Sequence, residues 1–386
     1  MKKYYFTVLL AVFIFIAAPT ALGQANSEFQ TPATHLVILD YGSGEILYEK
    51  NARDPMFPAS MTKIMTATIV FDRIKSGALS LDDEFMVSED AWIRGGTKSG
   101  SSTMFLKPNS MVKVQDLLRG VIVQSGNDAC IVLAQGIAGS EAAFADLMNA
   151  KAKELGLDTA HFVNSTGWPD PNHKISAYDL ARLASHTIQA YPEMYKIYAE
   201  KEYTWNGITQ SNRNPLFGSG IEGVDGLKTG HTKVSKYGFV GSGKRDGHRR
   251  VFVVNGLETK AARRSESRRI MRSAFGEFKV YSLYKSGEKV GSAPVFMGKS
   301  ETVPLVARAD VMVGLHKPSR KALKVQIKYQ APIPAPIVKG DHIADMVITA
   351  PGRATETVAL LAGEDVTRKS MFGRMTASLV RKIRGE

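Results

Sequence analysis

Residues 57–67 read FPASMTKIMTA, and the rest of the chain can be read outward from them. Ser60 and Lys63 form a Ser-x-x-Lys tetrad at the head of MTKIMTATIVFDRI, where apolar residues recur at three- and four-residue spacing. That period predicts a buried helix. Residues three apart on a helix share a face, so Lys63 can take the proton of the Ser60 hydroxyl. A helix start also offers backbone N–H groups and a positive dipole end to the negative charge that develops in acyl transfer. The tetrad itself is cheap, since it recurs from Ser110, Ser282 and Ser286. Ser110 reads as an N-cap before a polar-faced helix, and the other two fall at the junction with a strand-rich segment.

A second element follows at Ser125-Gly126-Asn127, in VIVQSGNDA between two helical runs. A hydroxyl and a carboxamide two residues apart on a turn can point into one cleft. Ser125 can relay a proton and Asn127 can hold a substrate amide. The third element is Lys228-Thr229-Gly230, in GVDGLKTGHT on a predicted strand; similar triplets at Lys75, Lys98 and Lys285 lack that setting. A cation, a hydroxyl and a glycine in a row suit an extended substrate along a strand edge. Lys228 supplies charge, Thr229 binds a carboxylate, and Gly230 removes a side chain that would block approach.

Around these elements the periodicity changes twice. Residues 34–50 alternate about Tyr-Gly-Ser-Gly, which reads as a β-hairpin. The stretch from Pro58 to about Ala190 is largely helical. Strands return from about Gly223, with KYGFVGSG and HRRVFVVNGL joined as a second hairpin, and a basic helix runs over about 261–275. Strands at both ends with helices between predict one antiparallel sheet in which the first hairpin pairs with the last strands. Beyond about Gly276, short alternating runs separated by Pro, Gly and Lys-rich turns predict a small all-β sandwich over 276–365, with no acid/base or nucleophile cluster of its own. The fold class is therefore α+β, with a domain over 30–275 followed by the sandwich.

The 386 residues carry 50 Lys+Arg and 37 Asp+Glu, a net charge of +13, with 44% hydrophobic and 23% charged residues. Disorder and fibrous repeats are excluded. The positive balance suits an anionic partner. The single cysteine, Cys130, excludes an intramolecular disulfide, zinc ribbons and CxxC redox motifs; it reads as core packing. The first 25 residues have the charged, apolar and small-residue layout of a secretory signal, with cleavage triplets ending at Gly23 or Ala25. Export makes nucleic acid an unexpected partner and places the chain at the periplasmic face of the membrane. Residues 367–386 place Met371, Met375, Leu379 and Ile383 at four-residue spacing among six cations. A helix there has one apolar stripe and one cationic face, suited to an anionic membrane surface. His161 and His173 lack the convergence a metal site needs, so no metal or cofactor is expected.

The three elements in this order resemble the serine penicillin-binding proteins and class A β-lactamases. The neighbourhoods FPASMTKIMTA, LLRGVIVQSGNDA and VDGLKTGHT are most similar to the low-molecular-mass serine-type D-alanyl-D-alanine carboxypeptidases, over about residues 30–275. The resemblance implies a β-lactamase/transpeptidase-like domain and a Ser60 acyl-enzyme with Lys63 as base. It implies Ser125 and Asn127 as the second motif and Lys228, Thr229 and Gly230 as the third. The backbone N–H groups of Ser60 and His231 would form the oxyanion hole. Arg263 or Arg264 would bind the terminal carboxylate, and Lys228 would be the cation that keeps Lys63 neutral. Peptidoglycan stem peptides and β-lactams are the implied ligands. A DD-endopeptidase and a non-catalytic envelope binding protein stay open. The loop HFVNSTGWPDPNHKIS has no counterpart of the class A deacylating glutamate, which disfavours a β-lactamase.

Overall fold

In the chain's computed structural model, which describes residues 29–371 and 373, the alternating segment near the N-terminus forms β1, His35–Asp40, and β2, Ile46–Lys50. The signal segment 1–25 with both cleavage triplets, and the tail beyond Met371 apart from Gly373, lie outside the described residues. The turn is fixed by Asp40, whose Oδ1 accepts from the Ser43 amide at 2.9 Å and hydroxyl at 2.7 Å, the Asx geometry that suits a tight reversal.

Far along the chain come β3, Val224–Thr232, β4, Lys236–Arg245, and β5, His248–Leu257. They join the first hairpin in one five-stranded antiparallel sheet, in the order β2-β1-β5-β4-β3. Val37 faces Val253 across β1 and β5, and Val240 faces Lys228 across β4 and β3. The sequence expectation of a returning hairpin is met.

This sheet is buried on both faces, which explains the near-continuous apolar runs in β1 and β5. Val37, Leu39, Val240, Val251 and Val253 turn toward the helices. Leu36, Ile38, Phe239, Phe252 and Val254 turn toward the opposite face. On the helical side lie α1, Lys63–Lys75, α2, Asn127–Ala138, and α3, Ala177–Ala190. Every residue of α1 from Lys63 to Phe71 is buried, so α1 is the central helix of the cluster. The other face is covered by α4, Lys260–Gly276, through Ile270, Met271 and Ala274. Each fully buried Val, Leu, Ile or Phe contributes about 1.5–3 kcal/mol of transfer free energy.

Past α4 the chain continues as β6, Phe278–Tyr284, β7, Lys289–Phe296, β8, Thr302–Ala307, and β9, Val311–His316. Then come β10, Lys324–Lys328, β11, Ile333–Pro334, β12, His342–Thr349, and β13, Glu356–Ala362. A six-stranded sheet in the order β10-β12-β13-β8-β7-β11 and the ribbon β6-β9 enclose a core that includes Leu305, Val313, Met346 and Leu360. The sandwich docks on the first hairpin: Arg353 pairs with Glu45 at 3.5 Å, and the Gly314 amide donates to Glu45 at 3.2 Å.

Two expectations are corrected. Ser110 caps no helix; its hydroxyl donates to the Lys107 carbonyl at 2.7 Å and a short strand, Met111–Lys113, follows it. Arg368, read as the start of the amphipathic helix, instead bridges to Gly298, and its Nε donates to the Ala335 carbonyl at 2.6 Å.

Candidate active site

Ser60 lies in a tight 3-10 turn, Ala59–Thr62, that leads directly into α1. Ala59 holds a left-handed φ of 48°, a strained setting for a residue with a Cβ. Two glycines let other segments close on this turn. A Cβ at Gly230 would come within 2.7 Å of the Pro58 carbonyl oxygen, so β3 packs against the turn only because that side chain is missing. The bare position therefore admits the Ser60 turn itself, a different neighbour from the substrate expected there. A Cβ at Gly167, whose φ is +83°, would come within 1.9 Å of the Ala59 carbonyl oxygen, so the 161–176 loop docks on the same turn.

Lys63 is 1% exposed. Its Nζ lies 3.1 Å from Ser60 Oγ, 2.7 Å from Asn127 Oδ1 and 2.7 Å from the Thr166 carbonyl oxygen. Asn127 Oδ1 and the Thr166 carbonyl can only accept. A neutral amine has two N–H donors and one lone pair, so with both donors committed its lone pair faces the Ser60 hydroxyl. Burial is the main force holding the Lys63 pKa below its ordinary value, and the Arg213 cation pushes the same way. Lys228 is also buried and is driven well below its ordinary value, first by burial and then by Lys63, Arg213 and Arg263.

Ser125 sits at the exit of a π-helical turn, Gly120–Gln124, with left-handed φ 62° and ψ 29°. Asn127 begins α2, and its Nδ2 donates to Ser101 Oγ at 2.9 Å. The next residue, Asp128, is buried and anchors the neighbouring loop by accepting from Thr103 Oγ1 at 2.7 Å and the Met104 amide at 2.8 Å. Ser60, Ser125, Thr229, Gly230, His231 and Arg263 meet in one cleft of about 320 Å³. The Arg263 Nη1 donates to the Gly230 carbonyl at 3.3 Å, and burial lowers its pKa to about 10. Arg264 is exposed and lines a separate depression.

Three contributors escape the sequence reading. Arg213 reaches the cleft from an irregular loop, and its Nη1 donates to Ser102 Oγ at 2.5 Å. Tyr237 stacks on His231 with ring centroids 3.8 Å apart and lies under the Arg263 guanidinium at 5.4 Å. Thr166 acts through its backbone carbonyl, which no side-chain pattern announces. His173 is structural as expected: its Nε2 bonds Thr62 Oγ1 at 2.8 Å, and burial lowers its pKa to about 4. Burial also pushes the Cys130 thiol up to about 12, consistent with an inert core residue. Among the described residues no group of three or more His, Cys, Asp or Glu converges as metal ligands.

This geometry lets a neutral Lys63 amine take the Ser60 proton, leaving a nucleophilic oxygen beside the resulting ammonium, at a strand edge rimmed by cations. Residues 22–259 match the D-alanyl-D-alanine carboxypeptidase family, and residues 278–368 match the penicillin-binding protein 5 C-terminal domain. The chain is 37% identical over 370 residues to the D-alanyl-D-alanine carboxypeptidase DacC of Escherichia coli, covering 95% of this chain and 92% of that protein. It is similar to the solved structure of the carboxypeptidase DacD of Francisella tularensis, with TM-score 0.76, 30% identity, and 92% of this chain and 100% of that one covered. Penicillin binding protein 5 of Haemophilus influenzae is similar at TM-score 0.66 and 35% identity, with 88% and 99% covered.

Proposed function

This chain belongs to the D-alanyl-D-alanine carboxypeptidase family and is a serine-type D-Ala-D-Ala carboxypeptidase, and we propose on that footing that Ser60 carries the acyl group with Lys63 as its base. The Nζ–Oγ separation of 3.1 Å, with the Lys63 side chain buried, carries this assignment. Lys63 takes the hydroxyl proton as Ser60 Oγ attacks the carbonyl carbon of the penultimate D-alanine. The oxyanion is held by the backbone N–H groups of Ser60 and His231. The peptide C–N bond then breaks as Ser125 relays the proton held by Lys63 to the leaving amine, so that free D-alanine departs and Lys63 is neutral again. Water, deprotonated by Lys63, attacks the ester and releases the shortened stem peptide.

The substrate carboxylate lies by Thr229, Arg213 and Arg263 at the edge of β3, the end strand of the sheet. Asn127 holds the substrate amide while its Oδ1 orients Lys63.

Penicillin acylates the same hydroxyl. The 161–176 loop presents a carbonyl, that of Thr166, to Lys63. With no loop glutamate to activate water, the drug ester is released slowly. Benzylpenicillin should therefore raise the intact mass by one drug equivalent, mapped to the Ser60 peptide. The Ser60→Ala protein should neither shift in mass nor release D-alanine from a diacetyl-Lys-D-Ala-D-Ala peptide; label at another serine defeats the assignment.

The layout of residues 1–25 supports export, and the cationic stripe of 367–386 supports peripheral attachment to an anionic membrane surface. Among the described residues no single helix is long and apolar enough to cross a membrane. Deleting 367–386 should move the protein from the membrane pellet to the soluble fraction at low salt. Full-length protein already soluble at low salt defeats the attachment.

A further inference from the structure

Beside the catalytic cleft lies a second depression of about 290 Å³. Both share Arg213, Lys260 and Arg263, and the second extends past them to Arg264 and Arg268. Its other wall is the loop carrying Asn212 and Asn214. The charge pattern is one-sided. Arg249, Arg250 and Arg269 each meet a carboxylate, whereas among the described residues these five cations meet none. Arg268 Nε donates to the Pro215 carbonyl at 2.9 Å, and Arg213 Nη1 donates to a serine. Arg263 is 6% exposed, and its buried Nε has no partner at all. A buried guanidinium nitrogen left unmatched, among cations packed without counter-charge, is costly unless a ligand supplies acceptors.

We infer that this depression is a second anion subsite for carboxylates on the leaving-group side of the scissile bond. The inference rests on the carboxylate position proposed above. With the α-carboxylate of the leaving residue held by Thr229, Arg213 and Arg263, any extension of that residue beyond its α-carbon finds the Arg264 and Arg268 side open. Ser60 lines the first depression and not the second, so the subsite selects the leaving group and does no chemistry. The substrate class is a peptide ending in D-alanyl-D-Xaa, where Xaa carries a side chain with a further carboxylate. Such a leaving group is larger than D-alanine and more acidic.

The test compares two substrates, acyl-D-Ala-D-Lys(Nε-succinyl) and its Nε-acetyl counterpart, which differ by one distal carboxylate. Wild-type protein should favour the succinyl substrate roughly fivefold in kcat/KM at low salt, the scale of partly exposed ion pairs. The preference should shrink as ionic strength rises. Arg264→Gln should reduce it to within about twofold and Arg264→Glu should invert it, while Arg264→Lys retains most of it. A binding measurement separates this from the catalytic assignment. The free amino acids D-Lys(Nε-succinyl) and D-Lys(Nε-acetyl), titrated calorimetrically into Ser60→Ala protein, should show the same discrimination without turnover. Equal affinity for both, or a preference untouched by Arg264→Glu, overturns the subsite. Failure to release D-alanine from the short diacetyl peptide strikes the Ser60 mechanism alone.

Discussion

Arg250 on β5 and Lys228 on β3 belong to the same sheet and are both buried, yet their surroundings are opposite. Arg250 meets the Asp40 carboxylate and donates its Nε to the Ala274 carbonyl at 3.1 Å. Its neighbour Arg249 holds Asp225 through two contacts of 2.8 and 2.7 Å. Among the described residues Lys228 has only a marginal 3.5 Å contact with the Thr229 carbonyl, and the nearby guanidinium groups of Arg213 and Arg263 are both positive. The first arrangement satisfies a charge for the fold; the second leaves one unsatisfied until an anion arrives. Stability and function are thus separated within one sheet, and the separation can be broken from either end.

The largest effect is expected at the paired end. Asp40→Asn leaves Arg250 buried without a counter-charge and weakens the Ser43 turn contacts. Removing one partner of a buried pair costs about 3–5 kcal/mol. Urea unfolding should show that loss, while penicillin acylation at Ser60 in the still-folded protein stays close to wild type. A loss below about 1 kcal/mol would place this pair with ordinary surface ion pairs and erase the contrast.

The unpaired end should respond with the opposite sign. Lys228→Met removes a buried cation with no carboxylate partner, so the protein should gain about 1–2 kcal/mol while kcat/KM falls by roughly a hundredfold or more. The gain depends on pH. The folded pKa of Lys228 is lowered, so between that value and about 10.5 the unfolded chain binds more protons than the folded one. Wild-type stability therefore rises with pH across that window, and the advantage of Lys228→Met shrinks toward its upper end. Differential scanning calorimetry at several alkaline pH values checks the sign; a destabilised variant would mean that Lys228 has a structural counter-charge after all.

How much of this contrast the sequence discloses differs between its two sides. Ser60, Lys63, Ser125, Asn127 and Lys228 were legible because each sits in a short motif whose order along the chain is informative. The returning hairpin was legible because period-2 runs stand at both ends of a helical stretch. Arg213 was not, since a lone arginine in SNRNP has no periodicity, and its place in the cleft depends on where an irregular loop folds back. The pairing of Asp40 with Arg250 spans 210 residues and is set by strand register. Thr166 contributes a backbone carbonyl, which any residue carries. The Ser110 cap failed because the following residues pair as a strand with Glu84–Met86 before the helix begins, a tertiary contact that overrides local capping preference.

The smallest effect tests whether the cleft's unpaired cations act on Lys63 at all. Arg213 is exposed at the rim, and its charge is among the influences that lower the Lys63 pKa. Lys63 acts as base only when neutral, so kcat/KM should fall on the acid side as Lys63 gains a proton. Arg213→Gln removes a nearby positive charge, which makes the protonated amine easier to form and raises the Lys63 pKa. The acid limb of the kcat/KM profile should therefore move to higher pH. The shift should be modest, because burial remains the main cause and solvent screens an exposed charge. The variant also loses a carboxylate contact, so a neutral ester substrate without a terminal carboxylate separates the two roles: its KM should hardly change while its acid limb still moves. An unmoved limb with that substrate would mean that burial alone sets the Lys63 pKa and that Arg213 serves only to bind the carboxylate.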